Sequence, residues 1–179
     1  MTTTARELHL VELVDADGRP VGEATVADAH TGEGRLHRAF SVHLMDEAGR
    51  LLLQRRAAVK TRFPLRWANA CCGHPTPGET VADAAALRLS EELGVTDLTL
   101  TEVGVYTYRA ADPATGRVEH EYDHVLLGLV DAGRLALRPD PAEVAALRWA
   151  DPADLWTDLG EQPEAYAPWL AGVTRIALP

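Results

Sequence analysis

Alternating and continuous runs of apolar residues divide the first third of the chain into short strand-like segments. Leu8–Asp15 and Pro20–Val26 flank Asp17-Gly18, a dipeptide typical of tight turns, and predict an N-terminal β-hairpin. Leu36–Asp46 and Leu51–Arg56 predict two further strands that return on each other through a polar turn. The chain is therefore expected to begin as β-structure.

The middle of the chain predicts a strand, a loop and a helix, in that order. Trp67–Cys71 predicts a short strand, and the prolines and glycines of Gly73–Gly78 then exclude regular structure. Apolar residues at helical spacing predict a helix that opens at Glu79 or Thr80 and ends at Gly94, a residue typical of helix C-termini.

The second half predicts another hairpin followed by helices. Leu98–Arg109 and Val118–Val130 predict paired strands, and Leu147–Ala150 a further strand. Pro152–Leu159 and Glu164–Leu178 predict C-terminal helices. Strands that alternate with one central helix and more helices at the end indicate an α/β protein with helices layered against a mixed sheet.

The composition of the chain is consistent with this predicted fold and limits the number of domains. The chain has 179 residues, 46% of them apolar and 25% charged, which is an ordinary globular balance. We expect one domain spanning 1–179, with its core at about 36–160. Because no run of about 18 apolar residues occurs and the N-terminus lacks the order of a signal peptide, we expect a cytoplasmic protein outside membranes.

Charge points away from nucleic acid and towards a small anion. The net charge is -10, whereas phosphate backbones are bound by clustered cations. One basic cluster interrupts the acidic chain: Arg55, Arg56, Lys60, Arg62 and Arg66. It suits a small polyanionic ligand, and a solvated surface loop is the alternative.

The two cysteines are adjacent, so they cannot form an ordinary intrachain bridge with each other. Alternation along a strand puts Cys72 and His74 on one side and Cys71 on the other. Cys72 is therefore the candidate to face a pocket. Two buried thiols that pack as small apolar groups are the alternative.

A candidate metal site follows from the spacing of carboxylates. Glu119 and Glu121 stand two apart on a predicted strand and so share a face, with His120 on the opposite one. Three other histidines supply nitrogen donors: His30, His37 and His74. Together these groups suit a divalent ion, whereas a solvated carboxylate face is the alternative. We interpret His9, His43, His120 and His124 as surface or packing residues.

Two sets of motifs resemble a known family. From Gly73 to Gly94 the chain follows the spacing of the Nudix box, although Leu87-Arg88 stands where the box has Arg-Glu. Asn69–Pro75, with Arg35–Ser41 upstream and Glu119–Glu121 downstream, resembles the type 1 isopentenyl-diphosphate isomerases. The resemblance runs from about residue 8 to Trp169. It implies a Nudix-like α/β/α sandwich with a mixed sheet, an N-terminal hairpin extension and C-terminal helices.

The resemblance also implies an activity, the interconversion of isopentenyl and dimethylallyl diphosphate through a tertiary carbocation. It implies proton transfer by Cys72 on one face and by Glu121, assisted by Tyr108, on the other. Trp169 matches the aromatic residue that stabilises the cation. The residues implied for the first metal ion, which could be Mn²⁺, Mg²⁺ or Zn²⁺, are His30, His37, His74, Glu119 and Glu121.

At the diphosphate end, the resemblance implies contacts from Arg56, Lys60 and Arg88. Glu92 matches the ligand of a second ion, Mg²⁺, that bridges to the diphosphate. Val26 stands where many bacterial members carry Lys, so a longer prenyl diphosphate stays open as the substrate. A Nudix hydrolase and a non-catalytic diphosphate-binding module are the remaining alternatives. We expect a prenyl diphosphate as the small-molecule partner, with monomer and homodimer both open.

Overall fold

The computed structural model describes residues 6–178, which form one mixed sheet with helices on both faces. The strands are Leu10–Val14 (β1), Pro20–Thr25 (β2), His37–Met45 (β3), Leu51–Arg56 (β4), Trp67–Ala68 (β5), Cys71–Gly73 (β6), Thr101–Ala111 (β7), Val118–Leu129 (β8) and Val144–Ala150 (β9). The helices are Val26–Ala29 (α1), Val81–Leu93 (α2), Pro152–Glu161 (α3) and Leu170–Ala177 (α4). Within residues 6–178, no helix is long and apolar enough to cross a membrane.

Strand β3 is the centre of the sheet. It pairs in parallel with β8 along its whole length, and antiparallel with β1, β4 and β6. The parallel register sets His37 beside Glu121, and the β7–β8 hairpin sets Tyr108 opposite Glu121. Three residues from distant parts of the chain therefore meet at one end of β3.

Helix α2 covers one face of the sheet. Thr80 caps its N-terminus by accepting a hydrogen bond from the Asp83 backbone N–H, and Gly94 ends it in the left-handed conformation. Its apolar side packs on β3 through Ala85, Leu89 and other buried residues. The predicted helix and both of its ends are confirmed.

Helices α3 and α4 cover the opposite face. Val173 and Ala177 of α4 pack with Val125 of β8, while Leu155 of α3 packs near Leu51 of β4. Helices thus lie on both sides of the sheet, and the predicted α/β/α sandwich with its N-terminal hairpin is confirmed.

The prediction of one strand over Trp67–Cys71 is wrong. Two short strands replace it, because β5 pairs with β4 and β6 pairs with β3. Asn69 lies between them and donates from Nδ2 to the Cys71 carbonyl at 2.7 Å, which stabilises the break. The chain changes partner strands at this point, and Cys72 consequently lies on β6.

The prediction of one helix over Glu164–Leu178 is also wrong. A short 3₁₀ turn at Pro163–Ala165 is followed by extended backbone at Tyr166, and α4 begins only at Leu170. Tyr166 bridges to Trp67 of β5, and Pro168 has no N–H to donate to a continuing helix. Trp169 therefore precedes the helix instead of lying within it.

A packing histidine makes the stability of this fold sensitive to acid. His43 is fully buried in β3, and neither ring nitrogen has a hydrogen-bond partner among the described residues. Burial lowers the pKa of His43 from 6.5 to about 4. The unfolded chain then binds the extra proton first, so stability falls as the pH drops from about 6.5 towards 4, by about 3 kcal/mol in total.

We therefore expect His43→Leu to flatten this pH dependence, since leucine removes the titrating group from an apolar site. Urea unfolding between pH 7 and pH 4 measures the slope. His9→Gln changes an exposed histidine and is the matched control. An unchanged slope in His43→Leu would contradict the assignment.

Candidate active site and metal centre

One pocket opens at the end of β3 and gathers most of the candidate residues. The proton-transfer and aromatic candidates Cys72, Tyr108, Glu121 and Trp169 line it. The phosphate-contacting candidates Arg56, Lys60 and Arg88 also line it, as do His74 and Glu119. His30 and His37 lie behind this wall and are fully buried. Residues from both halves of the chain thus converge on one cavity.

Three histidines and a carboxylate form a compact cluster beneath the pocket. Donor atoms of His30, His37, His74 and Glu121 all lie within 4.8 Å of one another. Glu119 adjoins them, because its Oε2 is 2.8 Å from His30 Nε2. The structure therefore brings together all five residues that the sequence suggested for the first metal ion.

The donor set fits a divalent ion. His30 Nδ1–H donates to the Val26 carbonyl and His37 Nδ1–H to the Arg35 carbonyl, each at 2.7 Å. These bonds leave both Nε2 atoms facing inward, where His30 Nε2 lies 2.8 Å from Glu119 Oε2 and His37 Nε2 lies 3.7 Å from Glu121 Oε1. A backbone carbonyl that fixes the far ring nitrogen is the usual support of a metal-binding histidine.

The protonation of the cluster also suits a cation. Burial lowers the pKa of His74 to about 4, so its ring is neutral at neutral pH, the form that binds metals. Burial acts to raise the pKa of Glu121, but the imidazoles of His37 and His74 beside it hold that pKa well below its usual range. The cluster thus offers neutral nitrogens and an ionised carboxylate.

Cys72 faces the pocket, whereas Cys71 is fully buried in the main core. The predicted alternation is confirmed for the two thiols. Burial raises the pKa of Cys72 to about 12 even though Arg56 Nη1 lies 3.6 Å from its Sγ. The thiol is therefore protonated at neutral pH and able to donate a proton.

An aromatic wall stands beside this thiol. The Trp169 ring is 2% exposed and lies 5.9 Å from Tyr108 and 5.6 Å from Phe63, centroid to centroid. Trp169 Nε1 donates to Asn69 Oδ1 at 3.0 Å, which fixes the indole plane. The hydroxyl of Tyr108 donates a hydrogen bond to Glu121 Oε2 at 2.7 Å, which links this wall to the metal cluster. Trp169 both packs the C-terminal helix and lines the pocket.

The cations of the pocket are held by carboxylates. Lys60 and Arg88 both contact Glu143, which is 5% exposed. Arg56 is held differently, by donating from Nη2 to the Arg62 carbonyl at 2.8 Å. Of the five residues in the predicted basic cluster, Arg56, Lys60 and Arg62 line the pocket, and Arg55 and Arg66 are not part of its lining.

Glu92 lies beneath these cations instead of on the pocket surface. It is 1% exposed, contacts Arg88 and Lys60 through Oε1, and accepts from Gln54 Nε2 at 3.1 Å through Oε2. Its part in binding magnesium stays a prediction.

The sequence did not show the supporting contacts that three residues make. Glu143 lies in a turn and has no periodic partner, although it contacts the phosphate-contacting candidates Lys60 and Arg88. Asn69 interrupts a strand-like run, and its contact with Trp169 spans 100 positions. Arg62 belonged to the basic cluster, but its contact with Glu119 was not foreseen.

Arg62 supports the metal cluster from outside. Its Nε donates to Glu119 Oε1 at 3.1 Å and its Nη1 to Glu7 Oε1 at 2.8 Å. We expect Arg62→Gln to weaken binding of Mn²⁺ about 10-fold or more, because Glu119 loses the partner that orients it.

Titration calorimetry with Mn²⁺ measures this loss. Arg55→Gln is the matched control, since Arg55 belongs to the same basic cluster but, within residues 6–178, its side chain donates only to the Leu65 carbonyl on an exposed surface. Equal affinities in the two variants would contradict a supporting role for Arg62.

The fold and the site define a Nudix protein. The family model described as the NUDIX domain matches residues 35–173. Among solved structures, DR0079 from Deinococcus radiodurans matches with a TM-score of 0.75 at 21% identity, over 94% of this chain and 99% of that one, which shows a shared fold.

Curated relatives narrow the class. The isopentenyl-diphosphate Delta-isomerase of Nocardia farcinica is 65% identical over 93% of each chain. That of Streptomyces coelicolor is 49% identical over 97% of this chain and 85% of the relative. The chain belongs to the isopentenyl-diphosphate Delta-isomerase family.

Proposed function

We propose that the protein interconverts isopentenyl diphosphate and dimethylallyl diphosphate. The observation that carries this proposal is one pocket that holds a protonated thiol, Cys72, and an ionised carboxylate, Glu121, beside an aromatic wall. The relatives from Nocardia farcinica and Streptomyces coelicolor bear the name of this activity.

The reaction is a balanced exchange of protons. One side of the pocket donates a proton to the terminal alkene carbon, whose π electrons form the new C–H bond and leave a tertiary cation. The other side removes a proton from C2, and the electrons of that C–H bond form the new double bond. Cys72 acts on one side, and Glu121 with the hydroxyl of Tyr108 acts on the other.

Trp169 stabilises the cation between these two steps. Its ring face attracts positive charge without offering a nucleophile, and Arg56 already lies 5.3 Å from its centroid. Tyr108 extends the aromatic wall and excludes water that would trap the cation as an alcohol, while Phe63 packs against Trp169 in the same apolar cluster.

The five-residue cluster around His30, His37 and Glu121 is proposed to hold a divalent ion, Mn²⁺, Mg²⁺ or Zn²⁺. Such an ion would hold the Glu121 carboxylate in place and would withdraw electron density from it. At the other end of the pocket, Arg56, Lys60 and Arg88 bind the diphosphate. Glu92 is proposed to bind the Mg²⁺ that accompanies it.

Location and assembly complete the proposal. We place the protein in the cytoplasm as a single domain, working as a monomer or homodimer. Sedimentation analysis of the purified chain decides between these two states.

The direct test is NMR of the purified protein with Mg²⁺ and isopentenyl diphosphate in deuterated water. The expected result is dimethylallyl diphosphate that carries deuterium. The same assay with longer prenyl diphosphates tests chain length, and a nucleotide panel tests hydrolysis. Absence of both exchange and product, with the metal site shown to be loaded, would overturn the proposal.

A further inference from the structure

The segment before β1 forms one wall of the pocket and carries a cation that the site described above does not use. Arg6 lines the pocket, and its side chain is 23% exposed. Its Nη2 lies 3.1 Å from Glu143 Oε1 and 3.3 Å from Glu91 Oε2. Its Nε is buried and has no hydrogen-bond partner among the described residues.

Glu143 places this guanidinium beside the phosphate-contacting candidates. The same carboxylate contacts Lys60 and Arg88, so three cations from three parts of the chain meet at Glu143, and Glu91 and Glu92 are their further partners. These carboxylates still leave the buried Nε of Arg6 without a hydrogen-bond partner among the described residues. A diphosphate offers more oxygens and more negative charge, and guanidinium groups match such oxygens in pairs.

We propose that Arg6 is a further substrate-binding residue that contacts the diphosphate group together with Lys60 and Arg88. This inference rests on the proposed function, because it takes those two cations as the diphosphate site. On ligand binding, the Arg6 guanidinium exchanges its ion pair with Glu143 and its hydrogen bond to Glu91 for contacts with phosphate oxygens.

Arg6 has an alternative role that is purely structural, because it precedes Glu7, and the experiment must distinguish this role from substrate binding. Glu7 accepts from Arg62, which in turn contacts the metal-site residue Glu119. If Arg6 served only to hold this segment in place, its loss would loosen Glu7 and disturb the metal cluster as well. Metal affinity is therefore the measurement that distinguishes the two roles.

The experiment compares the full chain with Arg6→Gln, Arg6→Lys and Arg19→Gln. Arg19 is the matched control, because its side chain is 70% exposed and its ion-pair partners in the described part of the chain are the nearby Asp15 and Asp17. Calorimetry measures the affinity for inorganic diphosphate with Mg²⁺ and, separately, for Mn²⁺ alone. Steady-state isomerisation gives KM and kcat.

Arg6→Gln is expected to weaken diphosphate binding and raise KM about 10-fold or more, since it removes hydrogen bonds between charged groups. Arg6→Lys retains part of the affinity because it keeps the charge but loses the planar fork. Mn²⁺ affinity stays at the wild-type value in both variants. Arg19→Gln matches the unmodified chain throughout.

Two results would overturn the inference: unchanged diphosphate affinity in Arg6→Gln, or parallel losses of diphosphate and Mn²⁺ affinity. Failure of the proposed function has a different signature. If the unmodified protein binds diphosphate through Arg6 but produces no dimethylallyl diphosphate, the proposed isomerase activity is contradicted and the binding role of Arg6 is supported.

Discussion

Cys72→Ala is expected to lower the isomerisation rate about 10³-fold while leaving the fold and the metal site intact. Cys72 is the thiol that lines the pocket, and burial keeps it protonated by raising its pKa to about 12. Alanine removes the exchangeable proton without adding bulk. The rate of deuterium incorporation into the prenyl group, followed by NMR, measures the loss.

The neighbouring residue gives a matched control. Cys71→Ala removes the same atoms one position earlier, from a thiol buried in the main core. It is expected to cost about 1 kcal/mol of stability through lost packing and to leave isomerisation near the wild-type rate. If the two variants lost activity equally, or Cys72→Ala retained more than a tenth of it, Cys72 would not be a proton carrier.

The contrast between the two thiols was readable from the sequence because it depends on local geometry. Side chains alternate along a strand, so adjacent cysteines must face opposite ways whichever strand they join. The same period placed Glu119 and Glu121 on one face of β8. Helix α2 was equally predictable from the sequence, since its apolar spacing, its N-cap Thr80 and its C-terminal Gly94 all lie within one segment.

What the residues alone could not supply was the pairing between distant segments. The register that sets His37 beside Glu121 joins strands about 80 positions apart, and no local pattern encodes it. The role of Glu143 could not be predicted for the same reason, because its contacts with Lys60 and Arg88 form only when distant segments meet in the folded chain. The assignment of those cations to a diphosphate came from the family resemblance.

The two errors in secondary structure have a common cause. Asn69 and Pro168 each interrupt an apolar run, and in both places the backbone pairs with a distant strand instead of continuing its own element. Both interruptions position Trp169: Asn69 accepts a hydrogen bond from its indole N–H, and the break at Pro168 places it just before helix α4. Local rules thus failed where the aromatic wall of the pocket is assembled.

Glu121→Gln is expected to abolish isomerisation to a similar degree, about 10³-fold, but for two reasons at once. The amide cannot accept a proton, and it lacks the negative charge that the Glu121 carboxylate, beside His37 and His74, offers to a divalent ion. The amide has the same shape, so its oxygen still accepts the hydroxyl of Tyr108, and the fold should persist. Mn²⁺ content and Mn²⁺ affinity should fall together with activity.

Loss of metal separates this variant from Cys72→Ala, which should bind Mn²⁺ as the unmodified chain does. Glu102→Gln is the matched control, because Glu102 lies on the adjacent strand β7 but is half-exposed and contacts His124 outside the pocket. Full Mn²⁺ affinity in Glu121→Gln would remove Glu121 from the metal site. Retained deuterium exchange would show that Glu121 does not transfer the proton. Because metal affinity and exchange are measured independently, either result would contradict one role of Glu121 without contradicting the other.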